Sequence, residues 1–570
     1  MAPSKRITLV TDELLGFVRT GGIGTATTYL SVALARLGHR VELLAVGDPP
    51  ARAMPDEWQR LYGEAGVTVR VLPRSDARLE PSYFARMRDV EEALAAEAPD
   101  VVITQDLAGP AYTALRMRRL GLGFERTLFV VYCHGGRRWI TDMARKARVL
   151  PGAHEITELE RMSVEIADAA VSPSSYLVDW MRHEGWRLPA NTFVIPHFNR
   201  SAATGETPPR VSPNGSSVER IAFFGRLEER KGLEPFAAGI NALPPELLQD
   251  LEVAFVGGET PAWPRERIEG LFAERTRAAL GRISFATELD QPEAFALLSR
   301  PGTLAVMPSF GETFSNAVYE CLERGIPFIA ADAGAPAELV APEDRGRVLF
   351  EPSAEGVRDA LRRALSNGDT VRPARPAFDA ATAFDAWTRV LGLEPEAPTR
   401  TRIEPSEWTV LSGQDDVLDE SCRDVLARAQ AASGADVVTC GIRLEDGRER
   451  LFLGEPRALG LVANHYGTVG LVRRSLVAGE AEEAPWPRYA RLSLEGARVV
   501  SVPRALASSR REPGDVARDP ASALQVVQRF ELHLPRSLRG LARLAAGFAT
   551  PSTQPAPRRR DAVRRLLRRG

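Results

Sequence analysis

The stretch "MPSFGETFSNAVYECLERGIPFIAADAGAPAELV", from Met307 to Val340, decides the fold of this protein. An apolar run leads into a turn that contains glycine, a helical pattern follows, and a second strand-like run comes after it. Glu312 and Glu320 stand eight positions apart, a little over two helical turns, so both carboxylates fall on one face. An amphipathic helix accounts for the spacing, but not for two acids on that face.

The alternation of strand and helix patterns extends through most of the chain. Strand-like runs such as "RITLVTDE", "DVVITQD" and "LFVVYCHG", and later "ERIAFFGRL" and "LEVAFVGG", are separated by helical patterns. The sequence therefore predicts an α/β fold in which two Rossmann-like domains with parallel sheets face a cleft, followed by a smaller C-terminal α/β appendage. Ligands of open parallel sheets bind where the strands end, so the loops after the strands are candidate sites.

Composition sets the predicted domain boundaries, because a chain of 570 residues is too long for one core. We assign residues 1–198 to the first domain and residues 218–393 to the second. Residues 199–217, rich in Ser, Thr, Pro and Gly, are the predicted linker. The appendage spans residues 394–548, and a basic tail spans residues 549–570.

Charge and cysteine content exclude several classes of protein. The net charge of −2 predicts no nucleic-acid partner, and four cysteines without a CxxC pair argue against a disulfide framework or a zinc site. No apolar run is long enough for a signal peptide or a membrane span, so a cytoplasmic location is expected. The last thirteen residues hold seven arginines and are interpreted as a solvated end or as a contact with the inner face of the membrane.

The loop after the first strand, "RTGGIGT", places Arg19, Gly21 and Gly22 directly before a helix. Glycine lets backbone N–H groups approach an anion, and the start of a helix favours negative charge. A plain tight turn would use the same residues, so both interpretations stay open.

Two further loops lie at predicted strand ends in the second domain. "FFGRLEERKGL" presents Arg226 and Lys231 after Gly225, and two fixed cations can neutralise a diphosphate. "FGETFSN" places Thr313 and Ser315 at a helix start that suits a phosphate or a ligand rich in hydroxyls. The alternatives are a solvated helix start in the first loop and a capping turn with surface acids in the second.

Taken together, these segments resemble the retaining glycosyltransferases of family 4, which have the two-domain GT-B fold. The resemblance covers roughly residues 6–391, and the E-x7-E motif in "ETFSNAVYE" is its most specific part. It implies that Glu320 binds the ribose hydroxyls of a nucleotide and that Glu312 faces the donor sugar. It also implies that Arg226 and Lys231 hold the diphosphate.

The resemblance assigns the remaining site residues. His134 in "YCHGG" matches a histidine that contacts the donor sugar, although a structural histidine is the alternative, and Asp106 is a candidate on the acceptor side. The loop with Arg19 also resembles that of glycogen and starch synthases, which carry lysine there. The implied catalytic residues are Arg226, Lys231, Glu312 and His134, and the implied donor-binding residues are Arg19, Gly21, Gly22, Gly225, Thr313, Phe314, Ser315 and Glu320.

The resemblance implies transfer of a sugar from a nucleotide-diphosphate sugar to a hydroxyl group, in the synthesis of a cell-surface polysaccharide or glycoconjugate. A glycan or a lipid-linked glycan would be the acceptor, and no metal cofactor is required because protein cations neutralise the leaving group. Two alternatives stay open: a noncatalytic GT-B scaffold or partner subunit, and a glucan synthase of the glycogen and starch type.

The appendage resembles the middle of a family-2, GT-A type glycosyltransferase. In "EWTVLSGQDDVLDE", Asp415 and Asp416 would be its metal-binding motif if the unit were active. The nucleotide-binding half that precedes this motif in such enzymes has no counterpart here. We therefore interpret the appendage as a noncatalytic remnant for packing, homodimer contact or acceptor placement.

Overall fold

The structure is a computed structural model. It describes residues 3–17, 21–47, 53–73, 75, 78–144, 151–206, 210–211, 217–366, 372–395, 404–413, 415–478, 483–510 and 519–549. Arg19, part of the predicted linker, and residues 550–570 of the predicted basic tail lie outside the described residues.

The first domain is built on a seven-stranded sheet in which every neighbouring pair is parallel. Its order is β3-β2-β1-β5-β6-β7-β8. The strands are β1 (Arg6–Thr11), β2 (Arg40–Val46), β3 (Val67–Leu72), β5 (Val101–Gln105), β6 (Leu128–Tyr132), β7 (Ala169–Ser172) and β8 (Thr192–Val194), while β4 (Leu79–Glu80) joins a different sheet. The central strands β5 and β6 are buried along their whole length, as expected for a sheet covered on both faces.

The second domain repeats this plan with six parallel strands in the order β11-β10-β9-β12-β13-β14. Each strand corresponds to an apolar run predicted from the sequence. They are β9 (Arg220–Phe224), β10 (Glu252–Val256), β11 (Arg282–Ala286), β12 (Thr303–Met307), β13 (Phe328–Ala331) and β14 (Leu349–Phe350).

The C-terminal unit has a mixed sheet. Strand β17 lies at its centre and pairs parallel with β20 and antiparallel with β18 and β19. At the edges, β15 pairs antiparallel with β19, and β16 pairs antiparallel with β20. The strands are β15 (Trp408–Leu411), β16 (Asp416–Leu418), β17 (Val437–Leu444), β18 (Glu449–Arg450), β19 (Gly470–Arg473) and β20 (Val499–Ser509).

Helices alternate with these strands and cover the sheets. In the first domain they are α1 (Gly22–Arg36), α2 (Asp56–Ala65), α3 (Tyr83–Glu97), α4 (Tyr112–Arg119), α5 (Arg137–Met143), α6 (Pro151–Glu165), α7 (Ser175–His183) and α8 (Arg200–Thr204). The next nine are α9 (Leu233–Asn241), α10 (Arg265–Glu269), α11 (Glu274–Ala279), α12 (Gln291–Leu298), α13 (Asn316–Arg324), α14 (Pro336–Leu339), α15 (Pro342–Val348), α16 (Ala354–Ser366) and α17 (Ala380–Leu391). The C-terminal unit carries α18 (Cys422–Ser433), α19 (Pro485–Leu494), α20 (Pro520–Phe530) and α21 (Arg536–Ala549).

Helix α17 follows the second domain in sequence but packs in the core of the first. Its apolar face joins the cluster formed by β1, α1 and the residues after β8, and Trp387 is fully buried there. Lys5 Nζ donates to the Leu391 carbonyl at 2.6 Å. The boundary that we predicted at residue 393 therefore assigns α17 to the wrong domain, because strand and helix spacing does not report which core a terminal helix joins.

The C-terminal unit shares a sheet and a core with the first domain. Strand β4 pairs parallel with β18, so two residues of the first domain extend the sheet of the C-terminal unit. Leu451 and Leu453 pack in the second hydrophobic cluster of the first domain, and Tyr112 Oη donates to the Leu453 carbonyl at 2.7 Å. The predicted appendage is thus anchored to the back of the first domain.

Within the residues that the structure describes, no helix is both long enough and apolar enough to cross a membrane.

The burial of α17 gives a test of the domain assignment. Replacing Trp387 by alanine removes a fully buried ring, and such truncations cost about 3–5 kcal/mol in the free energy of unfolding. We expect the loss in the unfolding transition of the first domain, measured by urea titration. Trp387→Phe keeps most of the buried area and should cost less, whereas Thr382→Ala on the exposed face should have little effect. A Trp387→Ala protein as stable as Thr382→Ala would contradict the packing.

Candidate active site

The loop after β9 is fixed against the loop after β12. It forms a short 3₁₀ turn, Glu229–Lys231, and Gly232 follows at φ +80°, the left-handed region that glycine tolerates best. A β-carbon on Gly232 would lie 1.9 Å from the Pro308 carbonyl oxygen, so only glycine allows the two loops this close approach. The contact brings the end of the 3₁₀ turn next to the acidic residue of the following motif.

Lys231 and Glu312 form a buried ion pair at this junction. Lys231 Nζ lies 2.5 Å from Glu312 Oε1, and Arg230 Nη1 lies 3.4 Å from Glu312 Oε2. Burial alone would raise the pKa of Glu312, but the charges of Lys231 and Arg230 outweigh it and hold that pKa at about 2. Burial lowers the pKa of Lys231, and the Glu312 carboxylate opposes this shift. Both oxygens of Glu312 therefore face cations.

Arg226 reaches across the cleft to the glycine loop of the first domain. A β-carbon on Gly21 would lie 2.6 Å from Arg226 Nη2, so the guanidinium packs directly on this glycine. The carboxylate of Glu13 accepts from the amides of Gly21 at 2.9 Å and Gly24 at 3.3 Å. Two amides of the predicted anion-binding loop thus already hold a carboxylate from the same domain. The carbonyl of Gly22 accepts from Asn316 of the second domain at 3.2 Å.

Glu320 lies in a narrow pocket whose walls come from both domains. Gln291 Nε2 donates to Glu320 Oε1 at 2.9 Å, and the hydroxyl of Tyr29 approaches Gln291 Oε1 at 3.4 Å. Burial raises the pKa of Glu320 to about 7, and the hydrogen bond from Gln291 opposes the shift. The two glutamates of the motif therefore differ: one is held ionised by cations, and the other titrates near neutral pH.

His134 sits at the exit of β6 with its ring turned into the protein. Its Nε2 is buried and, within the described residues, has no hydrogen-bond partner. Burial lowers the pKa of His134 to about 3, so the ring is neutral. The backbone amides of His134 and Gly135 donate to the Asp106 carboxylate at 2.8 and 3.1 Å.

Asp106 is fully buried, and its carboxylate holds the backbone of the loop that carries His134. Its Oδ1 also accepts from the Leu107 amide at 2.9 Å, and burial raises its pKa to about 6. A carboxylate so engaged positions the backbone of His134, and the acceptor-side role of Asp106 stays a prediction. Glu160 has a similar role in the neighbouring turn, where it accepts from the amides of Ala108 at 2.9 Å and Arg137 at 2.7 Å.

The side chains of Thr313, Phe314 and Ser315 bind protein groups. Thr313 Oγ1 donates to the His134 carbonyl at 2.9 Å. The ring of Phe314 packs on His197 with centroids 4.4 Å apart, and Ser315 caps α13 by accepting from the Val318 amide at 3.4 Å. All three side chains therefore already contact protein groups in this closed arrangement. Their role in donor binding stays a prediction.

Sequence reasoning missed Arg230, Gln291 and Glu13. Arg230 donates to the Gly311 carbonyl at 3.2 Å and lies over the ring of Trp139, 5.5 Å from its centroid. Its signal was present, since it adjoins Lys231 in "ERKG". Gln291 and Glu13 also follow predicted strands, but no pattern separates them from ordinary loop residues.

One aspartate of the predicted pair lies on the mixed sheet of the C-terminal unit. Asp416 begins β16, and its Oδ2 accepts from the Gly413 amide at 2.9 Å. Across the described ranges, no group of three or more His, Cys, Asp or Glu side chains could hold a metal ion. Asp415 and Asp416 therefore have no third ligand of these types in that part of the chain.

Two family models match the two parallel-sheet domains. The model described as Glycosyltransferase Family 4 matches residues 20–198, and the model described as Glycosyl transferases group 1 matches residues 218–367. The predicted GT-B fold is confirmed by these matches together with the two parallel sheets. Neither match includes the C-terminal unit, so its likeness to a GT-A enzyme stays a prediction.

Similar proteins include two curated relatives of the same description. A GDP-mannose-dependent alpha-mannosyltransferase from Mycolicibacterium smegmatis is 30% identical over 375 residues, which are 64% of this chain and 88% of the relative. Another from Mycobacterium tuberculosis is 25% identical over 358 residues, which are 60% of this chain and 83% of the relative. Among solved structures, sucrose-phosphate synthase from Thermosynechococcus elongatus gives a TM-score of 0.49 at 19% identity and covers 68% of this chain and 96% of its own.

Breaking the Lys231–Glu312 pair should destabilise the protein strongly at neutral pH. Glu312→Gln leaves the partly buried Lys231 without its closest counter-ion, and breaking such a pair costs about 3 kcal/mol. Because the pKa of Glu312 is lowered from 4.5 to about 2, its stabilisation is complete above pH 4.5 and is lost as the pH falls through 2. The difference in free energy of unfolding between wild type and Glu312→Gln, measured by denaturant titration, should become smaller as the pH falls from 4.5 to 2.

A double variant controls for this prediction. Glu312→Gln with Lys231→Met removes both charges and should be more stable than Glu312→Gln alone. A Glu312→Gln protein as stable as wild type at pH 7 would show that the pair is not buried as described.

Glu320 should give the opposite pH dependence. Its folded pKa of about 7 exceeds the ordinary 4.5, so the folded state holds the proton more tightly, and the associated stability is lost as the pH rises from 4.5 through 7. Relative to wild type, Glu320→Gln should gain stability as the pH rises from 5 to 8, by about 1.4 kcal/mol for each pH unit between the unfolded and folded pKa values. Glu355→Gln, at an exposed helical position, is the control. An equal pH dependence in wild type and Glu320→Gln would overturn the assignment.

Proposed function

This chain belongs to glycosyltransferase family 4, and from that membership we propose that it transfers a hexosyl group from a nucleotide-diphosphate sugar to a hydroxyl acceptor with retention of anomeric configuration. The observation that supports this most is the placement of three charged side chains of the second domain: Arg226 lies against Gly21 of the first domain, and Lys231, paired with Glu312, acts on the Glu320 carboxylate through its charge. Cations bind the oxygens of a diphosphate, and a carboxylate can accept from the hydroxyls of a ribose.

The proposed catalytic effect is stabilisation of charge on the departing diphosphate. In a retaining transfer without an enzymic nucleophile, the acceptor hydroxyl arrives on the face that the diphosphate leaves, so the protein must stabilise negative charge at that face. Lys231 is held by Glu312 before the reaction, and a preorganised donor of this kind contributes about 3 kcal/mol to lowering a barrier. Because Arg226 and Lys231 supply the charge, we propose that no metal is required.

In the absence of a ligand, the Lys231 ammonium is paired with the Glu312 carboxylate. When a diphosphate binds, Lys231 exchanges part of its contact with Glu312 for the phosphate oxygens. Glu312 then has an oxygen available to accept from a sugar hydroxyl. The neutral His134 ring, whose buried Nε2 has no hydrogen-bond partner among the residues that the structure describes, supplies a second polar group for the sugar.

Glu320 is the proposed ribose ligand. Two vicinal hydroxyls can donate to one carboxylate, and these bonds favour the ionised form, so binding should lower the raised pKa of Glu320. Gln291 keeps the carboxylate oriented from the neighbouring helix.

For the donor, GDP-mannose is the first candidate, because the two curated relatives are described as GDP-mannose-dependent mannosyltransferases. For the acceptor, we propose a glycan or a lipid-linked glycan of the cell surface. The basic tail would then place the enzyme at a membrane surface that carries anionic lipid.

The proposal predicts nucleotide-dependent transfer that fails in defined variants. A panel of GDP, UDP and ADP sugars should reveal one donor that raises the melting temperature of the protein and is consumed with an acceptor glycan. Proton NMR of the product should show the anomeric configuration of the donor. Arg226→Ala should lower kcat about 100-fold, as expected for the loss of one charge-stabilising donor, and Glu320→Ala should abolish nucleotide binding.

Arg362→Ala, on an exposed helix of the second domain, is the matched control and should retain wild-type kinetics. Activity that survives chelation by EDTA would support the absence of a metal. A protein that binds none of the nucleotide sugars would favour the scaffold alternative. An inverted product would overturn the retaining mechanism while leaving the glycosyltransferase assignment intact.

A further inference from the structure

Three aromatic side chains pack around one another beyond the strand ends of the first domain. Tyr132 ends β6, His134 follows it in the next loop, and His197 lies in the segment after β8. The ring centroids are 4.4 Å apart for Tyr132 and His134, 5.2 Å for Tyr132 and His197, and 5.3 Å for His134 and His197. We call these three rings the histidine cluster. The transfer proposed above uses only His134 of the three.

The phenol of Tyr132 holds the His197 ring in place. Its oxygen is hydrogen-bonded to His197 Nδ1, which is its only hydrogen-bond partner among the described residues. Burial raises the pKa of Tyr132 and lowers the pKa of His197, so both groups are neutral. A buried phenol proton without an acceptor would be costly, so Tyr132 donates and Nδ1 accepts. The His197 proton therefore lies on Nε2, and the bond fixes both the position and the tautomer of this ring.

The His134 ring depends on its neighbours for its orientation. The backbone of His134 is held on two sides, because its amide donates to Asp106 at 2.8 Å and its carbonyl accepts from Thr313 at 2.9 Å. The ring has no such anchor at Nε2, which is buried and lacks a hydrogen-bond partner within the described part of the chain. Contact with the rings of Tyr132 and His197 is what restrains it.

His197 also contacts the second domain. Its ring packs on Phe314, with centroids 4.4 Å apart, in the loop between β12 and α13 that carries Glu312. His197 is only 5% exposed and Phe314 only 3%, so the contact is buried. His197 therefore lies between a ring of the first domain and a ring of the second. Because interiors are closely packed, loss of the His197 ring would let either neighbour shift into the space.

We propose that His197 is a positioning residue: its ring, anchored by Tyr132, supports the His134 imidazole in the orientation in which it meets the donor sugar. This inference rests on the proposed function, since only a sugar in the cleft gives the orientation of His134 a role. A group beside the reacting sugar must be held closely, because small displacements lower the rate strongly. His197 acts through His134 and does not itself touch the sugar.

The first test removes the anchor of His197 and keeps every ring. Tyr132→Phe should lower kcat about tenfold, as expected when a group at the reacting centre is displaced slightly. The kcat is measured with whichever GDP, UDP or ADP sugar proves to be the donor. Tyr112→Phe is the matched control, because Tyr112 is also a buried phenol that donates one hydrogen bond, to the Leu453 carbonyl. Both variants should lose similar stability, but only Tyr132→Phe should lose activity. Equal kcat in Tyr132→Phe and wild type would overturn the proposal.

The second test asks whether the effect passes through His134. His197→Leu removes the ring but fills most of its space, and it should also lower kcat. In a His134→Ala background, neither His197→Leu nor Tyr132→Phe should lower kcat further, because a positioning residue acts only through the group that it positions. Losses that add to that of His134→Ala would overturn the proposal. Should His197→Leu fail to fold, Tyr132→Phe provides the same test alone.

A structural measurement separates this inference from the proposed function. Crystal structures of Tyr132→Phe and His197→Leu should show the His134 ring in a changed orientation, and an unchanged ring in both would overturn the positioning role. Additive kcat losses in a wild type that transfers sugar would overturn that role alone. A wild-type protein that transfers sugar from none of the nucleotide donors would overturn the proposed function and this inference with it.

Discussion

A buried ion pair, Lys231–Glu312, sets the geometry of the cleft. Neither charge can be buried alone without a cost of several kcal/mol, so the loops after β9 and β12 must meet wherever the protein folds. The meeting is possible because Gly232 takes a left-handed conformation against the Pro308 carbonyl. The pair thus turns two adjacent strand exits into one rigid platform, and a platform fixed before a ligand arrives needs little reorganisation during a reaction.

The residues next to this platform hold the two domains together. Thr313 bonds the His134 carbonyl, and Ser174 Oγ donates to the Thr313 carbonyl at 2.6 Å. Glu338 of the second domain accepts from the amides of Ser175 and Tyr176, each at 2.8 Å, at the start of α7. The structure is therefore a closed arrangement. Groups that a sequence motif suggests for ligand binding, such as the hydroxyl of Thr313, serve closure here, and a ligand would meet them only after the domains separate.

The fold was largely predictable because parallel strands buried on both faces leave short apolar runs that local pattern detects. Every strand of the first two sheets coincides with such a run, whereas the two-residue β4, which joins the third sheet, does not. The destinations of α17 and β4 were not predictable, since both join a partner remote in sequence and their own patterns are those of an ordinary helix and a loop. In the site, the charged residues of the motifs were identified from the sequence because their spacing is specific. Gln291 and Glu13 could not be identified in this way, because their roles depend on contacts with Glu320 and Gly21, which lie on other elements.

The C-terminal unit is joined to the first domain by charge as much as by apolar contact. Leu451 and Leu453 enter the first domain's core, but around them Arg116, Arg504 and Arg448 bind acids across the seam. Ion pairs of this kind fix orientation more than they add stability, since desolvation offsets much of their attraction. An orientation fixed in this way suits a unit that must stay in register with α4 and α6. Glu160 of α6 braces the turns beside His134, so the helix that borders the seam also reaches the cleft.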